Sequence, residues 1–126
     1  EHEYSIEVSS FFNEKTWNIL YQDGNLIRKA FGTINGYIAR IKILFLLKRY
    51  HIIYIFMWVT PLGGTLFEKL VRRFCKNLIY DFDDSVFLEN NTPESMNLGL
   101  SGVTEKSRYL ITCADRVILS SPYMQL

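Results

Sequence analysis

The feature of this chain that most constrains its fold is a pair of short apolar runs, at residues 51–57 and 77–82. Most side chains in both runs are apolar, whereas a strand with one face in water alternates apolar and polar residues. Such runs are typical of strands buried on both faces of a parallel sheet. Because segments with helix-like apolar spacing separate them, the sequence predicts an α/β domain with helices on both faces of the sheet.

Caps and periodicity predict the other elements. Residues 4–9 alternate and indicate a first strand, and Asn13 suits the N-cap of a short helix that ends near Tyr21. A long helix follows at residues 26–49, and Thr60 with Pro61 marks the start of the next one. The apolar residues of that helix expected to face inward are Leu62, Leu66, Phe67, Leu70 and Phe74.

The last third of the chain continues the alternation. Residues 89–101 are rich in Asn and predict a loop, and Thr104 is expected to cap a helix that ends at Ala114. Residues 116–120 predict a third strand of the sheet, and Pro122 opens a final helix.

Composition excludes several classes of partner. The 126 residues suffice for one domain with its own core, and a net charge of +1 gives no reason to expect nucleic acid. Cys75 and Cys113 belong to no Cys/His cluster, so the sequence predicts no zinc site. Isolated thiols suit a reducing cytoplasm.

The most apolar tract, residues 41–59, is interrupted by Lys48, Arg49 and His51. A helix followed by a strand explains it better than a membrane span does. The chain opens on acidic residues with no apolar segment of a signal peptide after them. We therefore predict a cytoplasmic protein.

Three carboxylates close to one another, Asp81, Asp83 and Asp84, come at the end of the second apolar run. In open α/β sheets, ligands bind in the crevice outside the carboxyl ends of the strands. Carboxylates this close repel one another unless hydrogen bonds, a cation or a ligand offsets the repulsion. One or more of them is thus a candidate catalytic or substrate-positioning group, the structural alternative being that they cap turns or bind loop amides.

The segment from Asp81 to Ser85 resembles the first motif of haloacid dehalogenase-type phosphatases, in which Asp81 would be the nucleophile and Asp83 its acid/base partner. That family also needs a Lys and a second acidic pair further along the sheet. After Ser85 the remaining acidic residues, Glu89, Glu94, Glu105 and Asp115, form no such pair. The phosphatase is kept as the enzymatic alternative, and a binding module with an α/β fold as the non-enzymatic one.

A second resemblance covers more of the chain. The segments KNLIYDFDDSVFL (76–88) and ADRVILSSPYM (114–124) are similar to the N-terminal domain of GT-B glycosyltransferases of family 4, in the branch with a "YDFDD" strand end. The similarity extends over residues 52–126 and is compatible with the chain from Tyr4.

The resemblance implies a Rossmann-like, three-layer α/β/α fold with a parallel sheet. Residues 1–126 would form one partial domain without its first strand, and a C-terminal nucleotide-sugar-binding domain would be absent. The intact enzyme would transfer a sugar from a nucleotide-sugar to a glycan or lipid-linked acceptor in cell-envelope polysaccharide synthesis. This part alone would be inactive and would hold no metal or other cofactor, and a second copy could fill the gap in the sheet.

The resemblance also suggests roles for residues. Asp83 stands where family members often have a histidine, so it is expected nearest the reacting sugar, with Asp84 supporting it. The expected acceptor-binding residues are Asp81, Trp58, Thr60, Ser120 and Tyr123.

Basic residues on two predicted helices suggest a further partner. They lie among bulky apolar residues, a composition that suits peripheral contact with an anionic membrane as well as a solvated helix face. These residues are Arg40, Lys42, Lys48, Arg49, Lys69, Arg72, Arg73 and Lys76.

Overall fold

The described part of the chain alternates helices and strands. The computed structural model describes residues 3–61, 63–82 and 101–119. Its helices are α1 (Glu14–Leu20), α2 (Leu26–Leu46), α3 (Leu66–Phe74) and α4 (Ser101–Cys113), and a 3₁₀ turn, Leu47–Arg49, continues α2. Its strands are β1 (Ile53–Phe56), β2 (Leu78–Phe82) and β3 (Arg116–Leu119).

The three strands form an open parallel sheet in the order β1-β2-β3. Ile53 pairs with Leu78 at the start of the first ladder, and Ile79 pairs with Arg116 at the start of the second. The predicted α/β class is therefore confirmed, as is parallel pairing of the three later strands. Residues 41–59 form the end of a helix and then a strand, as expected.

Side chains on one face of the sheet form the core. Leu78, Tyr80 and Phe82 of β2 are buried and pack with residues of β1 and the helices. The other members of this core are Leu44, Leu47, Ile55, Val59, Val71 and Leu110.

The opposite face of the sheet differs from the prediction. Tyr54 and Phe56 of β1 and Ile118 of β3 expose about half of their surface, at 54%, 53% and 45%. The expectation that β1 is buried on both faces is therefore wrong for the described residues. An apolar run shows that both faces of a strand could be buried, but not that another element covers each of them.

The first forty residues form one compact unit, Glu1–Arg40, and the rest form a second, Ile41–Leu126. In the first unit Asn13 caps α1 as predicted, since its Oδ1 accepts from the backbone N–H of Thr16 at 2.8 Å. The predicted strand at residues 4–9 does not form. Its apolar residues Tyr4, Ile6 and Val8 are more than 80% exposed. An alternating sequence forms a strand only where a partner strand pairs with it, and this segment pairs with none of the described strands.

Helix α3 begins later than expected. The structure starts it after Thr65 and not at Thr60, because two glycines intervene and Gly63 has a φ of +85°, in the left-handed region. Leu66, expected to face inward, is 63% exposed, whereas Phe67, Leu70 and Phe74 are half-buried as predicted. The predicted loop at 89–101 lies, except for its last residue, outside the described residues, as does the helix at Pro122. Ser101 instead begins α4, so Thr104 falls within that helix and does not precede it.

Two glycines of α2 allow the N-terminal segment to approach it closely. A Cβ on Gly36 would lie 2.7 Å from the Phe11 ring and 2.8 Å from the Phe11 carbonyl oxygen. A Cβ on Gly32 would lie 2.3 Å from Thr16. These glycines interrupt the helical pattern in the sequence because the neighbouring segment occupies the space of a side chain.

We expect Gly36→Ala to lower the free energy of unfolding by up to about 2 kcal/mol in urea titrations followed by circular dichroism. The clash with Phe11 costs roughly 1–3 kcal/mol, which outweighs a helix-propensity gain of at most about 1 kcal/mol. Gly64→Ala is the matched control, because a Cβ there meets no atom within 4 Å and its φ is negative. A Gly36→Ala protein as stable as this control would contradict the packing.

Candidate functional site

The carboxyl edge of the sheet is shaped by an unusual residue at the end of β1. Met57 directly follows the strand with a φ of +66°, a left-handed conformation that non-glycine residues seldom adopt. Its N–H donates to the carbonyl oxygen of Asp81 at 3.2 Å. The chain thus leaves the sheet sharply and carries Trp58, Val59 and Thr60 beyond the strand end.

Thr60 lies inside the protein. Its residue is wholly buried, and the Lys106 ammonium donates to its carbonyl oxygen at 2.6 Å and to its Oγ1 at 3.0 Å. In this structure Thr60 therefore fixes the loop through its bonds to Lys106, and its predicted role in acceptor binding stays a prediction. Trp58 is half-buried, so part of this residue remains accessible to a ligand.

A buried ion pair holds this loop from the interior of the protein. Glu68 of α3 and Lys106 of α4 have no exposed side-chain surface, and their Oε1 and Nζ atoms lie 3.9 Å apart. Glu68 Oε1 also accepts from the backbone N–H of Val59 at 3.2 Å. Burial lowers the pKa of Lys106, and the nearby Glu68 carboxylate opposes that shift. We name Thr60, Glu68 and Lys106 the buried polar cluster.

One oxygen of this cluster, Oε2 of Glu68, is buried and has no hydrogen-bond partner among the described residues. A buried carboxylate costs free energy unless it is paired, so Lys106 is required next to Glu68. The cluster therefore joins the loop after β1 to α3 and α4.

Asp81 lies within β2 and not beyond its end. It pairs with Phe56 on one side and Ile118 on the other, on the sheet face opposite Tyr80. Its Oδ2 accepts a hydrogen bond from the hydroxyl of Tyr54, which raises the pKa of that hydroxyl. Asp81 is thus separated from the buried polar cluster by the thickness of the strand.

The other predicted site residues lie outside the described residues. Asp83 and Asp84 follow Phe82, the last residue of β2, and Ser120 follows Leu119, the last residue of β3. Tyr123 comes three residues later. The predictions for these four residues stay predictions.

Sequence reasoning missed the buried polar cluster. Helical spacing carried a signal, since Lys106 precedes the wholly buried Leu110 by four residues and Glu68 precedes the buried Val71 by three. A charged residue is nonetheless expected in water unless a partner is known, and this partner lies on another helix.

The amino edge of the sheet has charged groups of a different kind. Asp115, just before β3, accepts a hydrogen bond from the backbone N–H of Leu78 at 2.7 Å. It also accepts from the two terminal guanidinium nitrogens of Arg72, at 3.0 and 3.2 Å. The Leu78 N–H and the Arg72 charge lower the pKa of the Asp115 carboxyl. An open groove of about 390 Å³ lies nearby, lined by Lys69, Arg72, Arg73, Cys75, Lys76 and Tyr109. Within the described ranges, no three His, Cys, Asp or Glu residues are grouped to hold a metal ion.

We expect Lys106→Met to lower the free energy of unfolding by about 3–5 kcal/mol, because it leaves the Glu68 carboxylate buried without its cation. Adding Glu68→Gln should restore at least half of the loss, since the amide keeps the bond to Val59 without a charge. Urea unfolding followed by circular dichroism measures both. Lys76→Met, at an exposed position, is the matched control. If Lys106→Met lowered the free energy of unfolding no more than Lys76→Met does, the pairing of Lys106 with Glu68 would be contradicted.

We expect Asp115→Asn to be less stable than the wild type at pH 7 but not in strong acid. The contribution of a carboxyl with a lowered pKa is complete above its unfolded-state value of 3.8 and is lost as the pH falls through its lower folded-state value. Urea midpoints compared between pH 7 and pH 2 should therefore converge. A difference in urea midpoint between the two proteins that stays the same at both pH values would contradict this prediction. So would an Asp115→Asn effect at pH 7 that is equally large when Arg72 is replaced by Gln.

Comparison of the chain with protein-family models, with curated proteins and with solved structures found no match. Function is therefore inferred from the chain's own residues and their placement.

Proposed function

We propose that this chain is the acceptor-side part of a GT-B glycosyltransferase. The described parallel sheet would belong to its Rossmann-like domain. One observation carries the proposal. Strands β1, β2 and β3 are parallel neighbours, so their carboxyl ends share one edge, and the predicted site residues Trp58, Asp83 and Ser120 each come within two residues of such an end. That edge is where open α/β sheets bind ligands.

The roles follow from chemistry at that edge. The half-buried Trp58 would offer an aromatic surface to a sugar or a lipid-linked acceptor. Asp83, next in sequence after the central strand, would orient or deprotonate the acceptor hydroxyl, and Asp84 would tune its pKa. A second domain would bind the nucleotide-sugar.

The buried polar cluster supports this proposal indirectly. An acceptor surface must be held to within a fraction of an ångström for efficient transfer, and the loop that carries Trp58 is tied to two helices. The phosphatase alternative gains no such support. Its nucleophile would be Asp81, which lies between two neighbouring strands with its carboxylate hydrogen-bonded to Tyr54.

We expect Asp83→Asn, made in the natural protein that contains this chain, to lower sugar transfer by about 10²-fold or more, as loss of a positioned acid or base does. The assay is release of nucleotide from a panel of radiolabelled nucleotide-sugars, in the presence of chelator and cell-envelope extract. Asn90→Ala, in the following segment, is the matched control and should retain activity. The 126-residue chain alone should release no nucleotide.

Two results would overturn the proposal. Magnesium-dependent release of phosphate from a phosphomonoester, lost in Asp81→Asn, would identify the phosphatase. No turnover of any nucleotide-sugar by the natural protein, with folding intact, would favour a binding module.

A further inference from the structure

Helix α2 carries an apolar stripe on its exposed side. Six large residues recur at alternating steps of four and three, so that they align along about five turns, or about 27 Å. Their exposed fractions range from 45% to 76%. The stripe consists of Ile27, Phe31, Ile34, Ile38, Ile41 and Phe45.

Each of the two units packs against the other side of its own part of this helix. Gly32 is covered by Thr16 and Gly36 by Phe11, and Leu44 and Leu47 at the far end belong to the core. The stripe is therefore additional to the face that folding buries. An exposed apolar surface of this length is unusual for a surface that meets only water, and it marks a contact with another phase or molecule.

The charges around the stripe are all positive. No Asp or Glu occurs from residue 24 to residue 67, a stretch that holds six Lys or Arg. Arg28 and Lys42 are exposed and directly follow the stripe residues Ile27 and Ile41, and Lys48 and Arg49 are exposed at the end of the helix.

This charge pattern distinguishes between possible occupants. In a coiled coil of two copies, Arg28 and Lys42 would flank the seam with no acidic residue of the helix to pair with, so self-association is disfavoured. Apolar side chains bordered by Lys and Arg are the pattern by which helices lie on anionic lipid.

We propose that α2 docks on an anionic phospholipid surface, with the stripe at the boundary of the acyl chains and Arg28, Lys42, Lys48 and Arg49 among the headgroups. The segment Leu26–Arg49 has 24 residues and contains an 18-residue window with a mean hydropathy of 1.3, so that by length and composition it also suffices to cross a membrane. The packed opposite side favours lying along the surface. This proposal is independent of the transferase chemistry and assigns lipid contact to the stripe, whereas the sequence prediction relied on basic residues of two helices.

The test is flotation of the full 126-residue chain with vesicles of phosphatidylcholine alone and of equal parts phosphatidylcholine and phosphatidylglycerol. We expect binding to the anionic vesicles and at least tenfold weaker binding to the neutral ones. Phe31→Gln combined with Ile38→Gln should reduce partitioning about tenfold or more, because two inserted side chains lose their apolar contact. Lys42→Glu should reduce it several-fold at low salt.

The matched control is Ile52→Gln with Ile118→Gln, at positions 55% and 45% exposed and outside α2. It should bind like the wild type, with circular dichroism confirming that every variant is folded. Equal binding of the stripe variant and the control would overturn the proposal, as would equal binding to neutral and anionic vesicles. If the chain bound neither kind of vesicle but dimerised in sedimentation equilibrium, and the stripe variant did not dimerise, a second copy would be shown to cover the stripe.

Discussion

Pairing of β2 with a parallel strand on each side is the constraint on which the rest of this structure depends. Leu78, Tyr80 and Phe82 are buried because β2 is the central strand of the described sheet, and the helices pack on the face that they form. Parallel pairing also brings the carboxyl ends of the three strands to one edge. The location of the candidate site is therefore a consequence of strand order, and the residues at that edge determine what the site does.

The buried polar cluster fixes the loop at that edge of the sheet. Thr60, Glu68 and Lys106 come from a loop and two helices, and each supplies a group that another needs. Hydrophobic contact alone would tolerate small shifts of these elements, whereas hydrogen bonds to a buried charge fix distances and angles. The left-handed Met57 also contributes, because it turns the chain out of the sheet while its N–H donates to the carbonyl oxygen of Asp81.

The sequence predicted what local pattern determines. The apolar runs located β1 and β2, Asn13 located the start of α1, and helical spacing predicted α2, α3 and α4, although not where α3 and α4 begin. It failed where the outcome depends on distant segments. Nothing local shows that Lys106 meets Glu68, that residues 4–9 lack a partner strand, or that Tyr54 and Phe56 remain exposed. Of the predicted site residues, the structure locates Asp81, Trp58 and Thr60, and the roles predicted for them stay predictions.

The close approach of Phe11 and Thr16 to Gly36 and Gly32 has a topological consequence. A helix that crosses a bilayer must be surrounded by lipid or by other membrane-embedded elements. For α2 that would mean giving up these contacts, or taking Thr16 and the polar N-cap of α1 into hydrocarbon. Under the proposed docking, α2 would therefore meet one leaflet only, and both ends of the helix would stay in the compartment from which it approached.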